Sequence, residues 1–288
     1  MDNVSPAELV EATVAAATKK AHLSVTDMVL RGALSGAILG IATSLVFVAI
    51  SQGLPAIVGA ILFPVGFVIL VLLGLELVTG NFALMPQAVA AKRISLGELG
   101  RSWCWVYLGN LLGSVGYAVM FWAAITYAGH DDGGALAEVA RSFATKKTIA
   151  YQHHGGPGWA ASLIKAILCN WMVTIGTVLA YVSRSTVGKI IAMWLPITIF
   201  FAHGYEHSVV NMFVIPTGML MGADISLSDW WLWNQVPVTI GNIIGGGVLM
   251  GLALWFTHAR SPLTTVTQTV RSSVPTPETV RLVDAGTV

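Results

Sequence analysis

Glu206 and His207 stand in the middle of a strongly apolar stretch, F-F-A-H-G-Y-E-H-S-V-V-N (200–211), which also carries His203 and Asn211. Ionisable groups are costly inside hydrocarbon and are kept there mainly for function. A histidine changes charge near neutral pH, so His207 is a candidate for proton chemistry on a path for a small polar solute. A second apolar stretch, G-L-E-L-V-T-G-N (74–81), carries Glu76, Thr79 and Asn81 between Gly74 and Gly80. Its glycines permit non-helical backbone, and Thr79 and Asn81 offer donors to freed backbone groups or to a polar solute. The two stretches are copies. E-L-V-T-G-N-F-A-L-M-P (76–86) and E-H-S-V-V-N-M-F-V-I-P (206–216) set Glu, Asn and Pro at identical offsets. A second matched pair follows, V-Y-L-G-N-L-L-G (106–113) and V-T-I-G-N-I-I-G (238–245).

Other residues gain meaning from these two stretches. The equivalent positions of Glu76 and Glu206 favour a supporting role for both, holding loop amides in the manner of a helix cap, over direct proton transfer. Asn110 and Asn242, within the second matched pair, are placed to bond to the same loops. Phe63 and Phe67 precede the first break and Phe200 the second. They read either as core aromatics or as narrowings that pass a neutral molecule and reject an ion. His203, Glu206 and His207 also spell H-x-x-E-H, the pattern of inverted zinc proteases, which would make the chain an intramembrane metalloenzyme. Gly204 interrupts the uninterrupted helix that such chemistry needs, and a third ligand is missing, so this is the alternative of a different class.

The elements that position these residues follow from composition. The chain has 288 residues, 55% of them hydrophobic and 10% charged, with a mean hydropathy of +0.75. No ordinary soluble domain has so few charges, whereas a bilayer accepts such a surface. A net charge of +1 gives no basic surplus for nucleic acid. Cys104 and Cys169 lie in apolar runs and read as small buried hydrophobes. Six apolar segments, near 29–50, 57–90, 103–128, 160–181, 190–221 and 235–257, can each cross about 30 Å of hydrocarbon. The second and fifth are too long for one plain crossing and hold the breaks. The fold class is therefore all-α integral membrane, with helices 2 and 5 broken. Three crossings per copy force the second copy upside down, giving an inverted 3+3 repeat whose solute path runs between the broken helices.

Eleven of the fifteen basic residues fall before or at the start of helix 1, between helices 2 and 3, between 4 and 5, or after helix 6. That bias places both termini in the cytoplasm. Residues 1–28 form a cytoplasmic segment in which Pro6 to Lys20 reads as an amphipathic helix with Leu9, Val10, Val14 and Ala17 on one face. It lacks the features of a signal peptide and either gates the pore or anchors to the surface. Residues 29–258 are the transport domain, and 259–288 a flexible cytoplasmic tail. The glycines of 109–116 and 241–247 let helices 3 and 6 pack closely.

G-Y-E-H-S-V-V-N-M-F-V-I-P, I-L-C-N-W-M-V (167–173) and V-P-V-T-I-G-N-I-I-G-G (236–246) together resemble the formate/nitrite transporter family, over about Ser24 to His258. The resemblance implies an aquaporin-like fold and a homopentamer in the inner (plasma) membrane, with one pore per protomer and no cofactor. It implies transport of small monovalent anions or their acids, not enzyme activity. Formate ranks first as substrate, then nitrite, then hydrosulfide. By the same resemblance Thr79 falls on the first-loop threonine and His207 on the central histidine. Glu206, Asn211 and Asn170 fall on supporting polar residues, and Phe63, Phe67 and Phe200 on constrictions. An outer lysine before helix 4 falls on Lys147, with Lys146 in reserve, because the spacing there departs from the family pattern. Lys165 falls where the family commonly has a basic residue in the helix. The anion would cross the apolar narrowing only after gaining a proton, either from bulk water or with His207 as donor or relay. A water or glycerol channel would be expected to carry an arginine filter and paired N-P-A-like loops, which this sequence lacks.

Overall fold

A computed structural model describes residues 3–259, and among these the regular structure is helical. The expected tail, apart from its first residue, lies outside the described residues. Helix α1 (Pro6–Ala21) opens the chain, started by a box in which the Ser5 hydroxyl and the Glu8 carboxylate cap one another's backbone N–H. Four helices are each long and apolar enough to cross a bilayer: α2 (Val25–Ser51), α6 (Leu96–Ile125), α9 (Gly155–Val182) and α12 (Leu227–His258). The two remaining apolar segments are divided. The first comprises α3 (Ala56–Leu62), α4 (Pro64–Leu72) and α5 (Val78–Ala90). The second comprises α10 (Thr186–Ala202) and α11 (Ser208–Leu220). Between α6 and α9 lie α7 (Gly134–Lys147) and α8 (Ile149–His153), which the hydropathy pattern does not announce.

Both breaks are closed in the same way. Gly74 and Gly204 take positive φ, +65° and +62°, just after α4 and α10. The next residue's N–H turns back to the helix, from Leu75 to the Leu70 carbonyl and from Tyr205 to the Phe200 carbonyl. This is a glycine-terminated helix end, in which a left-handed residue lets the last carbonyls find donors. Gly80 is different from the expectation. It lies inside α5 with ordinary helical backbone, because the break ends three residues earlier, at Leu77.

Helix starts also shift for local reasons. Ser95 and Glu98 form a capping box that begins α6 at Leu96, seven residues before the apolar run at 103. Ser226 and Asp229 do the same for α12 at Leu227. Within α12, Trp231–Gln235 and Ile244–Leu252 are wound as π-helix. Such segments carry an extra residue per turn and are often found at functional sites.

The glycine stripes bring backbones into contact. A methyl group on Gly113 of α6 would overlap the Ala33 carbonyl of α2, and one on Gly251 of α12 would overlap that of Ala83 in α5. Neither neighbour is a flexible side chain, so neither can move aside cheaply. Gly113→Ala is therefore expected to destabilise the fold by about 1–3 kcal/mol. A lowered melting temperature of the detergent-solubilised protein would register it; an unchanged one would mean that the α2–α6 contact yields freely.

Candidate functional site

The two breaks meet near the middle of the structure. His207 is the N-cap of α11: its Nδ1 accepts from the Val210 backbone N–H at 3.2 Å. Its Nε2 lies 3.0 Å from the Thr79 hydroxyl, on the first turn of α5. These two contacts fix the tautomer. A nitrogen that accepts from an amide carries no hydrogen, so the ring proton sits on Nε2 and donates to Thr79 Oγ1. Thr79 then has its own hydroxyl hydrogen left to offer. A second proton, on Nδ1, would set two donors against each other and release the cap. Both side chains are buried, and the Phe200 ring lies along that of His207 with centroids 5.8 Å apart.

Asn110 and Asn242 hold the loops, as their matched positions promise. The Asn110 carbonyl oxygen accepts from Val78 N, and its amide donates to the carbonyls of Glu76 and Gly32. Asn242 accepts from Ser208 N and donates to the carbonyls of Glu206 and Ala166. Each asparagine thereby ties one break to one long helix. Asn170, on α9, joins the halves by donating to the carbonyls of Thr79 and Asn242.

The glutamates do not cap amides, contrary to expectation, because the asparagines and His207 already fill that role. They bind side chains. Glu76 accepts from Asn81 Nδ2 at 2.9 Å and from Lys20 Nζ at 2.7 Å. Glu206 accepts from Asn211 Nδ2 at 2.7 Å and from Lys147 Nζ at 3.0 Å. Each copy thus buries one lysine–glutamate pair beside an asparagine five residues on. Glu206 gains two further donors, the Tyr151 hydroxyl at 2.8 Å and Asn234 Nδ2 at 3.2 Å.

Lys147, the expected vestibule cation, is committed to Glu206 and mostly buried. Lys146 instead lines a more open cavity of about 490 Å³ with Tyr151, His154 and Lys165. A second cavity, of about 360 Å³, lies on the Glu76 side and is walled by Lys19, Lys20, Arg31, Glu76 and Asn81. Phe67 also lines it. Phe63 does not sit with Phe67 there; its ring packs edge-on against Phe200 at 5.7 Å and stacks on Phe201 at 4.2 Å. The aromatic residues are therefore divided, with Phe200 beside His207 and Phe63 packed on Phe200 and Phe201.

The H-x-x-E-H residues do not converge. His203 is exposed, bonded to the Ile199 carbonyl of its own helix and stacked on Tyr205. Glu206 is engaged by lysine and His207 by threonine, so no shared ligand position exists for them.

Sequence reasoning missed Lys20, Tyr151 and Asn234 as partners of the site. Asn234 had a readable signal, standing eight residues before Asn242 in the same polar run. Tyr151 had none.

The model of the formate/nitrite transporter family matches residues 7–256, a span that includes every residue described in this site. The chain belongs to the formate/nitrite transporter family. It is 34% identical over 262 residues to the uncharacterized transporter YrhG of Bacillus subtilis, covering 88% of this chain and 93% of that one. It is 32% identical over 256 residues to the formate channel BtFdhC of Bacillus thuringiensis, covering 86% and 93%. A solved pentameric formate channel with formate bound superimposes with a TM-score of 0.68 at 26% identity, over 82% of this chain and 98% of that one. This family member is accordingly a multi-pass membrane transporter, and the metalloenzyme alternative finds no support.

Proposed function

We propose that the protein conducts formate across the membrane as its neutral acid, through the contact between Thr79 and His207. The observation that carries this reading is the pair of contacts on His207, the Val210 N–H at Nδ1 and the Thr79 hydroxyl at Nε2, which the neutral Nε2–H tautomer satisfies. A neutral imidazole behind a threonine hydroxyl presents a hydrogen-bond donor without a fixed charge. An anion arriving there would still lack a counter-ion amid Phe63, Phe200 and Phe201, and would cost many kcal/mol. Combining with a proton removes that cost. Because a second proton on His207 sacrifices the α11 cap, bulk water is the proton source that the geometry favours, and His207 orients rather than relays.

The substrate follows from the relatives, several of which are named formate channels or transporters. The assembly follows from the pentameric neighbour. The six-crossing inverted 3+3 repeat is supported by the equal closing of the two breaks and by the paired asparagine ties. The basic-residue bias supports cytoplasmic termini in the inner membrane, with residues 29–258 as the transport domain. In this frame the Lys20–Glu76 side faces the cytoplasm and the Lys147–Glu206 side faces out. Lys146, His154 and Lys165 draw anions to the outer cavity, and Phe63, Phe67 and Phe200 narrow the path. Asn81, Asn170 and Asn211 support the loops.

Helix α1 is part of the inner wall. Leu9, Val10, Val14 and Ala17 are buried, Thr13 bonds to Gln87 of α5, and Ala16, Lys19 and Lys20 line the inner cavity. Removing residues 2–20 is expected to change both flux and its pH dependence. Unchanged flux at equal membrane abundance would reduce α1 to an anchor.

Proteoliposomes offered formate, nitrite and hydrosulfide across a range of pH test the substrate reading. Formate is expected to move fastest, and faster at acid pH. Preference for either competitor would reassign the substrate within the family.

A further inference from the structure

The two copies of the break hold their glutamates unequally. Glu206 has four donors on its two oxygens: Lys147, Asn211, Asn234 and Tyr151. Glu76 has two, Lys20 on Oε1 and Asn81 on Oε2. Counting about two lone pairs on each carboxylate oxygen, Glu206 takes three donors on Oε2 and one on Oε1, whereas Glu76 keeps a free lone pair on each oxygen. The difference traces to the sequence. Asn234 stands eight residues before Asn242, and the same step before Asn110 gives Ser102, which has no amide to donate. Ser102 is buried with its hydroxyl unpartnered. Glu76 also forms part of the wall of the 360 Å³ inner cavity.

An acid that enters by gaining a proton must lose it on leaving. His207 cannot take that proton without giving up its cap, and Glu206 lies at the other break with four donors around it. We infer that Glu76 is the proton acceptor on the inner side of the pore, an assignment that rests on the weak-acid reading above. The O–H bond of the neutral acid breaks with its electron pair left on the acid's oxygen. A free lone pair of Glu76 forms the new O–H bond. Charge is conserved: one carboxylate is neutralised as another appears, and Lys20 passes from Glu76 to the new anion. The proton then leaves Glu76 for cavity water as the anion departs. The charged and titratable groups around this cavity are Lys19 and Lys20 from α1, Arg31 from α2, itself paired with Asp27, and Tyr181 from α9. The three cations favour retention of the product anion, and none of these groups competes with Glu76 as a base.

The test uses wild-type protein, Glu76→Gln and Glu76→Asp in vesicles holding a pH-sensitive dye, with labelled formate added outside at several internal pH values. Mass and melting temperature establish assembly. Glu76→Gln keeps an oxygen for Asn81 but cannot take the proton. It is expected to slow uptake by about tenfold or more and to flatten its dependence on internal pH. Glu76→Asp is expected to restore that dependence. Wild-type pH dependence in Glu76→Gln would overturn the assignment, as would equal loss in Glu76→Asp, which would make Glu76 a strut. Should Glu76→Gln not assemble, infrared difference spectra on adding formate decide. A protonated-carboxyl band that shifts in Glu76→Asp supports the assignment, and no such band overturns it. Wild-type vesicles that take up no weak acid would defeat the transport reading instead, a result distinct from uptake that ignores residue 76.

Discussion

Replacing His207 with phenylalanine is expected to abolish formate flux, by about 100-fold or more, while asparagine at the same position leaves an assembled protein. Phenylalanine keeps the ring but removes both nitrogens, so the Val210 N–H and the Thr79 hydroxyl lose their partners together. Each buried group left unpaired costs about 1–3 kcal/mol, and two such losses at the point of passage amount to about 100-fold or more. Asparagine is among the best N-caps, so α11 keeps its start. Its side chain is shorter than imidazole, so Thr79 loses its donor and coupled uptake falls. Thr79→Ala removes one hydroxyl and should cost less than either, and Thr79→Ser should remain close to wild type. Liposome flux with assembly measured alongside checks the series. Wild-type rates and pH dependence in a well-assembled His207→Asn protein would remove His207 from the mechanism.

The second large effect is on stability. Lys147→Met leaves the Glu206 carboxylate buried with neutral donors only. Breaking a buried pair from one side costs about 3–5 kcal/mol, because the remaining charge has been stripped of water for nothing. Adding Glu206→Gln removes that charge, so the double variant should recover most of the loss. Lys20→Met should cost less, since Lys20 is more exposed and Glu76 borders the inner cavity. Melting temperatures in detergent measure all three. A double variant no more stable than Lys147→Met would mean that packing, not the orphaned charge, sets the cost.

Much of the site was legible because a duplication displays its own constants. Glu76, Asn81 and Pro86 recur as Glu206, Asn211 and Pro216, and both breaks form where those residues and glycine meet in apolar sequence. The partners of Asn110 and Asn242 were readable for the same reason. What stayed hidden depends on three-dimensional reach. Nothing in the chain indicates that Lys20, at the end of an amphipathic helix, extends into the first break, or that Tyr151 bonds Glu206 across 55 residues. The glutamates' side-chain partners are not legible because sequence gives a carboxylate's place but not its competitors for the same amide. Helices α6 and α12 start earlier than hydropathy predicts, because hydropathy finds the apolar run and not the polar capping box before it. Helices α7 and α8 carry no long apolar run, so nothing in hydropathy marked them.

The central claim is that formate passes the Thr79–His207 contact as the uncharged acid. It is tested most directly by recording net current and labelled formate uptake from the same reconstituted membranes under a formate gradient. The account predicts uptake that acidifies the receiving side, carries no sustained current and is indifferent to an imposed membrane potential. A steady current proportional to formate uptake and driven by that potential would contradict it, because the anion would then be crossing with its charge.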